Sequence, residues 1–493
     1  MVSIHDVFSE DPNSYSYYFP IIIGISIILG ILQLFILYLQ DAYADMNFSL
    51  NHSLSVGGDY SITFITNKNS LKFRYMLAYL LTRASVWAKS PYIWSMYLFY
   101  HKFTIPEIGI LYVIDAVSAL VFGPITGNLA DVFGRRRFCQ FYNFSVCVNL
   151  ALRLTGDHYM AYASQVVTGI GAGLANTSFE SWVVSESIKE FRYHEVERER
   201  FLKKLFKSVN IFDACTSVII SALAAIFYTM YGVLAPIILS IIFSIASMIV
   251  IQVSWGENEI QMGKKSITNC YKEAFAELKK REVLCVGIAE SMTLAVQNLF
   301  LFLWTPVLLA STTQPINIGF IFLCMVTSII CGTKIFEVGV IYLRSNLYVM
   351  LGLCLFFIFS DLMGIYLINS FLVRVVLFAA LNGTTGLYTP LFSIIKYKIL
   401  EEKHRALLMN IFRIPLNAYV IVVLLSLKYI DPFKVCLLAS LMALVAFLSV
   451  SSLLAFRPSS KDGLSVFVHP RDSTTPTKKY SVCSNISESI GKN

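Results

Sequence analysis

Arg413 sits between Asn410 and Asn417 in an otherwise apolar stretch of this 493-residue chain. Their i, i+3, i+7 spacing puts all three on one face of a helix. That face offers a guanidinium fork flanked by two amides, a donor set suited to an oxyanion. Arg83 and Lys89 are the other cations embedded in apolar sequence. A charge at the centre of a bilayer costs about 2.5–3.5 kcal/mol, so each of the three calls for an anionic substrate or a carboxylate partner. Arg83 and Lys89 lie six residues apart, about 120° around a helix axis, so they do not both point straight into one site; either could snorkel or pair instead. Asp115, Glu180, Asp213, Glu290 and Asp361 lie in or at the edges of apolar stretches. Carboxyls in such places suit proton exchange, and Asp115, Glu180 and Glu290 are the expected coupling or gating acids. No metal-ligand spacing, nucleophile elbow or phosphate-binding glycine loop occurs, so no catalytic residue, metal or cofactor is expected. The ten cysteines are scattered, with no CxxC pair, and read as small packing residues.

Something must hold these groups inside lipid. The chain is 56% hydrophobic and 14% charged, against roughly 45–50% apolar for an ordinary soluble domain. Apolar runs of the ~20 residues needed to cross a bilayer recur at 20–40, 72–98, 106–130, 137–155, 160–183, 208–229, 232–253, 283–305, 317–338, 346–367, 371–393, 408–428 and 433–455. Alternating ~10-residue strands of a membrane barrel are not evident. The first run has no Lys or Arg before it and exceeds a signal-peptide core, so it reads as an extra, uncleaved helix.

With Arg135–Arg137 placed in the cytoplasm and the spans alternating, 31 of the 39 Lys and Arg residues collect on the cytoplasmic side. Five lie across the membrane, namely Lys102, Arg153, Arg374, Lys428 and Lys434, and three lie inside spans. This asymmetry sets orientation: N-terminus extracytoplasmic, C-terminus cytoplasmic. The net charge of +8 then reflects topology and an anionic inner leaflet, with no nucleic-acid partner. The expected organisation is an extra helix and polar linker over 1–71, a six-helix half over 72–253, a cytoplasmic loop over 254–282, a second six-helix half over 283–456 and a disordered tail over 457–493. Two such halves suit an internally repeated transporter. Within the loop, "KEAFAELKKREV" (Lys272 to Val283) has the spacing of an amphipathic surface helix.

"GNLADVFGRRR" (Gly127 to Arg137) occupies the loop after the second core span. Its spacing resembles the signature of the major facilitator superfamily. The resemblance implies a twelve-helix fold of two halves in which Gly127, Asp131, Gly134, Arg135 and Arg136 form a conformational latch. "FESWVVSE" (Phe179 to Glu186), "WGEN" (Trp255 to Asn258), "FLWTPVL" (Phe302 to Leu308), "GLYTP" (Gly386 to Pro390) and "NIFRIPLN" (Asn410 to Asn417) are together similar to the molybdate-anion transporter family, which also carries one additional N-terminal helix. In that family the first core helix usually reads Asp-Trp-Leu-Gln-Gly-Pro-Tyr. Here it is "VWAKSPY" (Val86 to Tyr92), with Val86 in place of the acid and Lys89 in place of the amide.

The resemblance implies an all-α, polytopic secondary transporter that carries molybdate by alternating access, with Arg413, Asn410, Asn417, Lys89 and Arg83 as substrate-binding residues. The proton is the expected coupling ion and the plasma membrane the expected location. Sulfate and tungstate share molybdate's shape and charge. Transport of another organic or inorganic anion is the alternative that the altered first helix favours. A transport-dead, receptor-like membrane protein is a third reading, and intramembrane charge counts against it.

Overall fold

The computed structural model describes residues 62–175, 178–191, 195–257, 276–312, 316–343, 347–400 and 405–456. The expected span at 20–40, most of the loop at 254–282 and the tail after 456 lie outside the described residues. Among the described residues there is no strand. Helix α1 runs over Ile62–Lys89. Pro91 follows, lacking an N–H and clashing with a continuing helix, and the chain resumes as Ile93–Ser95 and a π-helical turn, Met96–Tyr100. Helix α2, Ile105–Phe133, starts where both the backbone N–H and the hydroxyl of Thr104 donate to the Glu107 carboxylate at 2.7 Å, a reciprocal cap that satisfies the first turn.

The arginine-rich loop is a single residue. Gly134, at φ +101°, ends α2 and begins α3, Arg135–Leu154. There follow α4 (His158–Ala175), α5 (Ser178–Glu190), α6 (Glu195–Tyr231) and α7 (Leu234–Ser254). Beyond the inter-half loop come α8 (Arg281–Leu309), α9 (Ile318–Leu343), α10 (Leu347–Leu367), α11 (Phe371–Ile399), α12 (Arg405–Ser426) and α13 (Pro432–Phe456). Eight of the described helices are long and apolar enough to cross a membrane. Their outward faces carry side chains such as Ile219, Val253, Phe357 and Leu448, each more than half exposed, as lipid contact requires.

In the first group, α1 packs on α6 and α7, and α3 on α4 and α7. In the second, α9 packs on α11 and α13 on α8 and α10. Lipid provides no hydrophobic drive between helices, so close approach and hydrogen bonds do the work. Ser240, Ser244 and Ser247 recur along one face of α7. The Ser85 hydroxyl meets those of Ser240 and Ser244 at 2.8 Å, and that of Thr82 meets Ser247 at 2.8 Å. Asn143 of α3 joins them, donating to Ser247 at 3.3 Å. Between α9 and α11 the device is glycine. A methyl on Gly332 would run into the Gly383 carbonyl, and one on Gly386 into that of Ile329.

The two groups meet through α2 against α12 and α6 against α9. These contacts gather at the end of the bundle away from Arg135–Arg137. Gly109, near the start of α2, abuts Leu424 of α12 and Leu427 just beyond that helix, and Gly319 abuts Ala225 and Tyr92. Tyr92 stacks on Tyr228 at 4.9 Å, and Tyr112 meets Phe302 edge-on at 5.4 Å.

Candidate functional site

A cavity of about 860 Å³ lies between the two groups, walled by α1, α5, α6, α9 and α11. Helical periodicity chooses its lining. Asn210, Asp213, Ala214 and Ser217 form one stripe of α6, at the i, i+3, i+4, i+7 spacing of a single face, while Phe212 and Ile219 on other faces are at least half exposed. Arg83 and Trp87, one turn apart, are the contribution of α1, and Thr333, Lys334 and Glu337 that of α9. Trp87 approaches Phe322 at 6.3 Å, and Trp304 approaches the same ring at 6.1 Å. These aromatics separate the cavity from the closed end.

Four of the five described charged side chains that line the cavity form two pairs from opposite groups, Glu180 of α5 being the fifth. Arg83 donates from Nε to both oxygens of Asp213 at 3.1 Å. The Trp87 indole N–H donates to the same carboxylate at 3.0 Å, and the guanidinium sits 4.9 Å from the Trp87 ring centre. Both side chains keep access to the cavity, at 30% and 20% exposure. On the other wall Lys334 Nζ donates to Glu337 at 3.2 Å, the lysine being 8% exposed. The hydroxyls of Thr333, Thr385, Thr389 and Ser393 donate to carbonyls one turn back on their own helices. Presenting those protons to a bound anion therefore requires them to rotate. The cavity holds two fixed cations, each neutralised by a carboxylate that an entering anion could replace.

The structure distributes the sequence-predicted site residues unevenly. Arg83 and Glu180 line this cavity. Lys89 does not appear in its lining; it lies inside the first group, within electrostatic reach of Asp115, Arg153 and Cys147. One Asp115 oxygen is buried without a hydrogen-bond partner. Glu290 is buried and forms an ion pair with Lys396 of α11, inside the second group. On α12, Phe412, Leu416 and Val420 form the buried face, and the Phe412 carbonyl accepts from Ser291 of α8 at 2.7 Å. Arg413 is consequently exposed and Asn417 half-buried, and neither appears in the cavity lining; the Asn410 side chain lies outside the described residues. Lys334 and Glu337 enter the site unforeseen, and Asp213, one of the acids noted in apolar sequence, enters as the partner of Arg83. The available signal was an ion pair at i, i+3 within an apolar run, "KIFE", Lys334 to Glu337.

At the basic end, Gly134 and the arginines dock on Glu257 of "WGEN". The Arg136 backbone N–H donates to the Glu257 carboxylate at 3.2 Å, and Arg137 lies 3.6 Å from it. Arg136 also donates to the Gln252 carbonyl, and Arg135 to that of Ser181 on α5, at 2.8 and 2.7 Å. Trp182 and Trp255 stack at 3.7 Å beside this hub. The side chain of Asp131 lies outside the described residues. A methyl on Gly134 would overlap the Glu257 carboxylate at a φ that L side chains rarely adopt. Gly134→Ala is therefore expected to cost about 1–3 kcal/mol of local strain, read as a lower melting temperature of the detergent-purified protein. Glu257→Gln, which keeps the shape, should shift it much less.

A family model described as sugar transporters with 12 transmembrane segments matches residues 55–378. A molybdate-anion transporter of Takifugu rubripes is 24% identical over 72% of this chain and 78% of its own length. That of Danio rerio is 25% identical over 74% and 81%, and that of Xenopus tropicalis 24% identical over 83% and 91%. Among solved structures, an auto-inhibited peptide transporter of the POT family aligns at a TM-score of 0.65 with 9% identity, over 80% of this chain and 98% of that one. A D-xylose–proton symporter aligns at 0.58 with 12% identity, over 80% and 98%.

Proposed function

Because the chain belongs to the major facilitator superfamily, and within it to the molybdate-anion transporter family, we propose that this multi-pass membrane transporter carries molybdate, bound between Arg83 and Lys334. The observation that supports this most directly is the cavity itself, with one cation from each group of helices on facing walls. A tetrahedral dianion loses strong hydration on entering such a site, and charge-assisted hydrogen bonds must replace it. A guanidinium fork already held rigid by Asp213 and Trp87 suits that task. The amide of Asn210 and the cavity hydroxyls complete the donor set after rotation.

Transport proceeds by alternating access. Residues up to Ser254 move as one six-helix half and those from Arg281 on as another, about a site held between them. The closed contacts near Gly109 and Gly319 part as the basic end closes, and the Gly134–Glu257 hub is the latch at that end. The basic end faces the cytoplasm by the positive-inside rule, and the plasma membrane is the site of action. Lys89 and Asp115 act within the first half, as a charge reserve that the moving helices rearrange. Arg413, with Asn410 and Asn417, meets the anion in the other conformation.

The test is uptake of molybdate, with sulfate and tungstate as competitors, in cells in which the protein is shown to reach the surface. Saturable uptake that tungstate suppresses is the expected result. Absence of uptake above background would reassign the cargo to another anion or the protein to a receptor-like role.

A further inference from the structure

We propose that the outer seam between α3 and α7 is a binding site for one anionic phospholipid of the cytoplasmic leaflet, its phosphate on Arg137 and one acyl chain in the groove beyond. The inference takes from the functional reading the side of the membrane that the basic end faces, and nothing about the cargo. The two helices pass antiparallel. Asn143 donates to Ser247 at 3.3 Å on the inner side of the seam, and nearer the basic end the Gln140 amide donates to that of Gln252. Along the outer side runs a groove of about 630 Å³. Helical periodicity chooses its walls. Arg137, Gln140, Phe141, Phe144 and Cys147 form one stripe of α3, and Ile245, Met248, Ile249 and Gln252 one stripe of α7, each at the three- and four-residue steps of a single face.

The groove is polar at one end only. Arg137, Gln140 and Gln252 lie at the basic end, while Phe144, Ile245 and Ile249, farther in, are each about half exposed. Length separates an amphiphile from a membrane-spanning segment. From Arg137 to Cys147 is about 15 Å of helix at 1.5 Å per residue, half of the ~30 Å hydrocarbon thickness. A helix crossing the bilayer would need a groove twice as long, whereas the acyl chain of a single leaflet fills this one. Charge chooses the headgroup. The Arg137 side chain is 64% exposed and stands 3.6 Å from Glu257, an exposed pair of the kind that contributes little. The Glu257 carboxylate also accepts from the Arg136 backbone N–H at 3.2 Å, so it keeps a donor when the Arg137 guanidinium turns to a phosphate, whose geometry its planar fork matches. Arg135 and Arg136 donate to the carbonyls of Ser181 and Gln252 and add positive field beside the groove, where the cytoplasmic leaflet presents its anionic lipids.

The experiment uses the full chain purified in detergent and native mass spectrometry, with dioleoyl phosphatidylserine and dioleoyl phosphatidylcholine offered in equal amounts and soluble glycerophosphoserine as a competitor. The expected result is one phosphatidylserine retained at least about fivefold over phosphatidylcholine, the effect of one basic residue beside an anionic headgroup. Arg137→Ala should bring the two lipids level. Ile249→Trp, which narrows the apolar end and leaves the charge alone, should lower retention of both. Glycerophosphoserine, lacking chains, should displace neither. Equal retention by the wild type, a preference that survives Arg137→Ala, or displacement by glycerophosphoserine would overturn the assignment. No lipid retained at all would give the groove to a protein segment, such as the apolar run at 20–40, and overturn it as well. Should Arg137→Ala fail to fold, Ile249→Trp decides, since undiminished retention there removes the acyl chain from the groove. Neither molybdate uptake nor orientation enters this readout, so failure of the lipid site and failure of the transport reading are told apart.

Discussion

Replacing Arg83 with Ala is expected to weaken molybdate binding by roughly two orders of magnitude, since hydrogen bonds to a charged group are worth about 1.5–3 kcal/mol each and 1.4 kcal/mol is tenfold in affinity. The substitution removes the two Nε contacts to Asp213 and the guanidinium beside Trp87 together, leaving the Trp87 indole N–H as the donor to Asp213. The orphaned carboxylate then repels the substrate it previously helped to receive. Folding should survive, because the pair is open to the cavity at 30% and 20% exposure and water can solvate what remains. Arg83→Lys separates charge from shape. A lysine restores the positive charge without the planar fork, so affinity should recover in part. Radiolabelled uptake normalised to surface protein reads both variants. Equal uptake by Arg83→Ala and wild type would remove the cavity from the transport path.

The second large effect is mechanical. Gly332→Ala is expected to destabilise the second half by about 1–3 kcal/mol or more, the range for overpacking a close-fitted interface. The obstacle to a new methyl is the Gly383 carbonyl of the facing helix. Backbone cannot rotate aside as a side chain can, so α9 and α11 must separate. Their separation displaces Thr333 and Lys334 on one side and Thr385 on the other, all cavity residues, so uptake should fall with stability. Gly352→Ala is the control. It lies on α10, where an added methyl would meet nothing within 4 Å, and alanine is the better helix former by about 1 kcal/mol. Thermal unfolding of the two purified variants should therefore move in opposite directions, or move for Gly332 alone.

Helix positions were legible in the sequence because a bilayer demands ~20 apolar residues at a time, and the described helices fall on the runs from 72 onward. The break after Lys89 was legible from Pro91. Arg83 and Glu180 stood out as charge in apolar surroundings. Which face of a helix looks inward was not legible. Asn410, Arg413 and Asn417 have the spacing of one face, yet Phe412, Leu416 and Val420 do too, and the latter face α8 and α2. Pairing was equally hidden. Arg83 and Asp213 are 130 residues apart, and only the packing of α6 on α1 joins them. Lys334 falls among the cytoplasmic charges by sequence, because a cation near a span end ordinarily marks orientation; α9 continues to Leu343 and turns that cation onto the cavity wall. Arg153 and Arg374, which the same alternation puts on the other side, are each 2% exposed. Arg374 donates to the Ile365 carbonyl, Ser311 and Asn369, so it fastens helix ends together.

The placement of Trp87 makes the cavity visible to light. The chain has five tryptophans, and Trp94, Trp182, Trp255 and Trp304 are no more than 4% exposed. Trp87 alone of the five lines the cavity, its indole N–H given to Asp213 and its ring beneath Arg83. An indole's emission follows the charge and water around it. When an anion draws Arg83 away from that ring, the emission of this one side chain changes with it, so occupancy can be followed in the unlabelled protein.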